Sequence, residues 1–265
     1  MKFYIVDVFT DKAFGGNPAG VCLLDDWLPD EAMQNIAMEN NLSETAFLVK
    51  KGEQYDLRWF APEIEVNLCG HATMGSAYIL FKFIETTADI LHFNTRSGLL
   101  SVKKDGDLLW LDFPSRPTAP AARYKSIEKA FGLDSIEVFK SADLLVVLEN
   151  EDAVRQLAPD FETLKRVKDE AEMPGDDFGV IATAPGSDCD FVSRFFAPNI
   201  GINEDPVTGR AHCVLIPYWS KRTGKISMTA RQLSKRGGTI WCEYAGERVK
   251  IGGKAVLYMA GEIVV

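Results

Sequence analysis

The chain contains its own echo. The segment Arg58-Trp59-Phe60-Ala61-Pro62-Glu63-Ile64-Glu65-Val66-Asn67 recurs as Arg194-Phe195-Phe196-Ala197-Pro198-Asn199-Ile200-Gly201-Ile202-Asn203, with six of ten positions identical at a spacing of 136 residues. Each copy runs on into a glycine, a small residue and a histidine, as Gly70-His71-Ala72 and as Gly209-Arg210-Ala211-His212. Two copies are too few for a solenoid, which needs at least about three stacked units. They suffice for two half-chains of one architecture. At roughly 150 residues per domain, a chain of 265 residues gives each half enough length to bury its own core. The expected lobes are residues 1–115 and 116–265, with the last strand able to return to the first lobe.

Patterning fills in the halves. Lys2 to Val8 and Gly20 to Leu24 alternate as strands around a turn at Gly15-Gly16-Asn17-Pro18. Pro29-Asp30-Glu31 opens a helix that turns Met33, Ile36 and Ala37 inward and closes at Asn40-Asn41. Residues 42–49 and 55–60 read as strands. The helix predicted over 71–84 is apolar around most of its circumference, so it should be enclosed by sheet. In the second half the pattern predicts a strand at 143–149, an acidic helix near 150–168, strands at 178–184 and 189–196, and a helix from about 209 to 222 that Pro217 should kink. Segments 91–114 and 225–265 are strand-rich, and Pro114 to Ala121 reads as a linker. The class is α+β.

A net charge of −9 argues against nucleic acid and against an anionic membrane surface as partners. The longest apolar runs, such as Leu144-Leu145-Val146-Val147-Leu148, fall far short of the ~20 residues of a membrane helix. The N-terminal residues carry Asp7 and Asp11 and lack the apolar region of a signal peptide, so Met1 reads as the start of the mature chain. Five scattered cysteines without a C-x-x-C pair indicate neither a disulfide framework nor a zinc finger. A cytoplasmic protein is expected.

Three places can carry chemistry. On a strand with period two, Leu42, Glu44, Ala46 and Leu48 share a face, which puts a carboxylate among aliphatic side chains. Desolvation there would raise its pKa and suit it to both donating and accepting a proton. The opposite face, with Phe47 and Val49, competes for burial and would leave Glu44 at the surface. His71 follows Gly70 at a predicted helix start, where backbone N–H groups favour an anion; a structural histidine is the plainer reading. Glu204-Asp205-Pro206-Val207-Thr208-Gly209-Arg210 opens the matching helix, and Asp205 or Thr208 would serve as its cap. His71, His92 and His212 lack a short metal-ligand spacing, the acids lack a calcium-loop pattern, and the glycines form neither dinucleotide- nor phosphate-loop motifs. Neither a metal nor a cofactor is expected.

Taken together, Gly16-Asn17-Pro18-Ala19, Ser43-Glu44-Thr45-Ala46-Phe47, Arg58-Trp59-Phe60-Ala61-Pro62 with Leu68-Cys69-Gly70-His71-Ala72-Thr73, and Arg194-Phe195-Phe196-Ala197-Pro198 with Glu204-Asp205-Pro206-Val207-Thr208-Gly209 resemble the phenazine-biosynthesis PhzF-like family over essentially the whole chain. The resemblance implies a diaminopimelate epimerase-like fold: two pseudo-symmetric lobes, each a twisted sheet around a central helix, with the active site between them. It also implies cofactor-independent isomerisation, in the family's characterised branch of a dihydro-hydroxyanthranilate, with one glutamate as acid and base. That glutamate falls on Glu44, the supporting histidine and aspartate on His71 and Asp205, and two substrate-binding glycines on Gly70 and Gly209. A homodimer is suggested in the same way. The family usually carries serine where this chain has Arg210, and a guanidinium there favours a carboxylate or phosphate. The expectation is the same proton chemistry on another small anionic metabolite. Two alternatives stand beside it. Cys69-Gly70-His71 resembles half of a two-cysteine racemase or epimerase, although the region after Asn203 offers Asp205-Pro206 in place of a second Cys-Gly and Cys213 lies well into the following helix; a non-catalytic binding protein would keep the same fold.

Overall fold

The structure is a computed structural model and describes residues 1–134, 136–173 and 178–264. Val265, the end of the strand-rich segment expected over 225–265, lies outside the described residues. Residue contacts divide the chain into two compact units, Met1–Asp112 with Ile251–Val265, and Phe113–Lys250.

The first unit contains β1 (Lys2–Val8), β2 (Asn17–Leu24), α1 (Asp30–Asn40), β3 (Glu44–Lys51), β4 (Gln54–Phe60), β5 (Glu65–Val66), α2 (Gly70–Phe83), β6 (Ile90–Thr95), β7 (Gly98–Asp105) and most of β8 (Leu108–Pro114). Helix α1 forms as its sequence suggests: Asp30 and Glu31 oppose the helix dipole in the first turn, and Asn41 ends it in the left-handed conformation, φ 49°. Its buried face, Met33, Ile36 and Ala37, packs with Phe3, Cys22, Phe47 and Phe60 from the sheet. Burying each large apolar side chain contributes about 1.5–3 kcal/mol.

Helix α2 is enclosed. From His71 to Phe81 only Tyr78 escapes full burial. Gly75 allows this approach, because a Cβ there would stand 3.3 Å from Val8 and 3.6 Å from both Ala19 and Val6.

The second unit holds β9 (Ala119–Pro120), α3 (Lys125–Phe131), β10 (Glu137–Lys140), β11 (Leu144–Val147), α4 (Glu151–Arg155), α5 (Phe161–Leu164), α6 (Val167–Ala171), β12 (Val180–Pro185), β13 (Phe191–Ala197), β14 (Ile202–Asp205), α7 (Gly209–Thr223), β15 (Ser227–Gln232), β16 (Gly238–Ala245) and the start of β17 (Arg248–Gly253). The final strand, β18 (Ala255–Glu262), pairs antiparallel with β1.

The echo in sequence is an echo in topology. In the first unit β1–β2 pair antiparallel, β2–β3 parallel, β3–β4 and β4–β5 antiparallel, β4–β6 parallel and β6–β7 antiparallel. The series β10–β11, β11–β12, β12–β13, β13–β14, β13–β15 and β15–β16 repeats those six senses in order. Even a side-chain fork recurs. Arg58 holds Glu65 through Nε at 2.7 Å and Nη2 at 2.8 Å, and Arg194 holds Glu204 through the same atoms at 2.6 and 2.8 Å.

Two expectations are corrected. The single acidic helix near 150–168 is three short helices, α4, α5 and α6. Pro159 interrupts the run, and Asp160 behind it caps a new helix by accepting from the N–H groups of Glu162 and Thr163. The expected linker, Pro114 to Ala121, is partly strand: Pro114 ends β8, and β9 pairs with β10.

Candidate active site

Glu44 is the first residue of β3, opposite Ala19 of β2 in the register. Both faces of the strand beyond it are buried from Thr45 to Val49, so neither reading of the alternation alone describes it. Its flanks are pinned: the Ser43 hydroxyl donates to Asn17 Oδ1 at 3.2 Å, and Asn40 donates to Thr45 Oγ1 at 3.2 Å.

Helix α2 begins beside this strand end. Its cap, Cys69, has extended backbone and makes no side-chain cap bond. One residue into the helix, His71 places Nε2 3.2 Å from Glu44 Oε2 and Nδ1 3.5 Å from Cys69 Sγ. His71 is buried, while the Glu44 side chain keeps 17% of its exposure. Burial pulls the imidazole pKa from 6.5 down to about 4, opposed by a bond to the Pro18 carbonyl. At neutral pH His71 is therefore uncharged, and the carboxylate beside it is not quenched by a fixed cation. His71, which the sequence offers without any titratable partner, has a carboxylate for a neighbour.

The tip of α7 is built differently. Thr208 is the cap residue, yet its side chain makes no cap bond; its hydroxyl donates to Asp205 Oδ2 instead. Thr208 thus holds the expected cap position without a side-chain cap bond, and buried Gln232 takes its own N–H at 2.9 Å. The Gln232 amide also donates to the Asp205 carbonyl at 2.8 Å and to Thr208 Oγ1 at 3.1 Å. A Cβ on Gly209 would meet no heavy atom within 4 Å, so the space over this tip is open.

Arg210 faces an acid that sequence reading missed. Asp143 has no exposure, accepts from Gly179 N–H at 2.8 Å and holds Arg210 through Nη2 at 3.0 Å and Nε at 3.2 Å. Its pKa is raised by desolvation, with the Arg210 charge opposing. The only signal in the sequence was an aspartate directly before an apolar strand. Cys213, in the same helix as Arg210, is pushed up to about 12 by burial.

The phenazine biosynthesis-like protein family model matches residues 6–261. The chain belongs to that family. A Pseudomonas aeruginosa relative carrying the name uncharacterized isomerase is 50% identical, over 99% of this chain and 98% of its own. The crystal structure of a PhzF-family protein from Enterococcus faecalis superposes with a TM-score of 0.94 at 47% identity, covering 100% of this chain and 99% of that one. A hydroxyproline epimerase from Agrobacterium vitis, 11% identical with a TM-score of 0.64, covers 99% of this chain and 90% of its own and shares the fold. The α+β architecture of two like halves around enclosed helices is therefore that of the PhzF-like isomerases and of epimerases. Among the described residues no helix is long and apolar enough to cross a membrane.

Proposed function

We propose that this PhzF-like chain is a cofactor-independent isomerase in which Glu44 removes a proton from one carbon of a small anionic substrate and returns it to another. The observation that carries this reading is the 3.2 Å contact between Glu44 and a histidine kept neutral by burial. A carboxylate beside an imidazolium would be a weak base; beside a neutral imidazole it keeps the affinity for a proton that general acid–base catalysis needs. The His71 ring stands between the Cys69 thiol at Nδ1 and the Glu44 carboxylate at Nε2 and orients Glu44. Glu44 takes the C–H proton, becomes the neutral acid, and delivers it across the conjugated system.

The anionic intermediate and a substrate carboxylate need partial positive charge. In the first unit, α2 begins at Gly70 without a side-chain cap, so its first-turn N–H groups suit that need; α7 of the second unit begins at Gly209 in the same way. In the second unit Asp205 is held by Thr208 and Gln232. The engagement of Arg210 by Asp143 assigns the guanidinium first to that acid, and its selectivity for an anionic substrate acts from that anchored position. Thiol bases fit poorly, because a Cys213 thiol at about 12 gives little thiolate near neutrality.

Solvent-deuterium exchange tests the reading. Incubated in D2O with a panel of unsaturated and cyclic carboxylates, the protein should label one carbon of its substrate, and Glu44→Gln should slow this by about 100- to 10,000-fold while melting like the parent. Full turnover by Glu44→Gln would overturn the assignment.

A further inference from the structure

We propose that Glu44, Cys69 and His71 form a binding site for a zinc-type divalent ion, occupied in competition with substrate. The three donors include a thiol, an imidazole and a carboxylate, the set that zinc takes in protein sites. One donor atom from each lies within 4.8 Å of the others. Zinc bonds of about 2.0 Å to nitrogen or oxygen and about 2.3 Å to sulfur place tetrahedral ligands about 3.3–3.6 Å apart. The contacts of 3.2 Å between His71 and Glu44 and 3.5 Å between His71 and Cys69 are close to that spacing. An imidazole gives one nitrogen to an ion, so one contact becomes a ligand pair and the other adjusts by rotation of Glu44 or Cys69.

A second observation points the same way. His71 is more than nine-tenths buried, and its Nε2, aimed at Glu44, makes no hydrogen bond of ordinary geometry. Cys69 sits on the helix cap without a capping bond. Glu44 is the partly open member, so the ion enters from its side and keeps its fourth position there for water, as in zinc sites with three protein ligands. Binding breaks the Cys69 S–H bond, forms the metal–sulfur bond and releases the proton to buffer. The Glu44 carboxylate is then committed to the metal and cannot move a proton; that consequence rests on the catalytic reading above, whereas the binding does not.

The test uses the full-length, reduced, chelator-stripped protein and the metals alone. Titrated with Co2+, it should take one ion per chain and develop thiolate-to-cobalt charge-transfer absorption, which Zn2+ then bleaches. Cys69→Ser should abolish that absorption and weaken Zn2+ binding, measured against a chromophoric chelator, by more than about tenfold, since even groups that only support ligands cost 10–100-fold. Glu44→Gln, altered at the partly exposed member, should weaken binding while keeping the thiolate band, and it supplies the test if Cys69→Ser fails to fold. Cys189→Ser should bind like the parent. No uptake by the parent, or binding that survives both Cys69→Ser and Glu44→Gln, overturns the site. Uptake together with a fully active Glu44→Gln would sink the catalytic reading and leave the metal site standing.

Discussion

Arg210 neutralises Asp143. The acid has no exposure at all, and the guanidinium reaches both of its oxygens, at 3.0 and 3.2 Å. A residue that the sequence offers as a substrate clamp is thus also the counter-charge of a buried carboxylate. Removing one member of a buried pair is costly because the other is left charged and unpaired.

Arg210→Ser should therefore destabilise the protein by about 2–3 kcal/mol, below the ~3–5 kcal/mol for a fully enclosed pair, because Arg210 is partly exposed and Gly179 N–H still serves Asp143. The pH sign follows from the raised pKa of Asp143. An acid whose folded pKa exceeds its unfolded value favours the folded state when protonated, and this preference is lost as pH rises through the folded value. Without Arg210 that value rises further, so the deficit against the parent should be small in acid and grow toward neutrality. Melting temperatures across pH check this, and Arg210→Ser with Asp143→Asn should recover much of the loss at pH 7.

His71 and His212 should make the fold acid-labile. Burial lowers both to about 4 from 6.5. A depressed histidine contributes stability that is complete above its unfolded pKa and disappears as pH falls through the window from 6.5 to 4, worth about 3 kcal/mol for each fully expressed shift. His212 Nδ1 lies 2.8 Å from the Thr208 carbonyl, a bond that Asn can imitate. His212→Asn should flatten the fall of stability below pH 6.5, read by denaturant titration at several pH values; an unchanged slope would contradict the buried neutral state.

Gln232 should behave as the keystone of the α7 tip. Gln232→Leu leaves the Thr208 N–H and the Asp205 carbonyl without their partner. With one unsatisfied buried group costing about 1–3 kcal/mol, a loss of about 2–4 kcal/mol is expected, together with faster hydrogen exchange at Thr208. Unaltered exchange there would argue against the role.

The paired forks permit an internal comparison. Arg194 also donates to the carbonyls of Leu157 at 2.6 Å and Val154 at 3.3 Å and is 9% exposed, whereas Arg58 donates further to the exposed Asp30 and lies over the Trp27 and Phe60 rings. Lysine cannot reproduce a planar two-pronged contact. Arg194→Lys should cost about 2–3 kcal/mol and Arg58→Lys about 1 kcal/mol, measured by urea unfolding; equal losses would mean that the additional carbonyl contacts contribute little.

What the chain order alone determined is local and repeated. Two copies of an Arg-aromatic-Phe-Ala-Pro strand, each leading to a glycine-headed apolar helix, specify the same strand pairings twice, because strand periodicity and helix apolarity act over a few residues. Glu44 and His71 were legible as candidates from their places on β3 and at the start of α2. Tertiary structure decided their partners. Asp143 meets Arg210 across 67 residues of chain, Gln232 reaches back to Thr208 across 24, and Cys69 joins Glu44 and His71 in one donor cluster. These meetings depend on which strand ends and helix tips the sheets bring side by side, and on desolvation that exists only once the core has closed. Charge and neutrality at Asp143, His71 and His212 are accordingly properties of the folded chain, set by the loss of water around them.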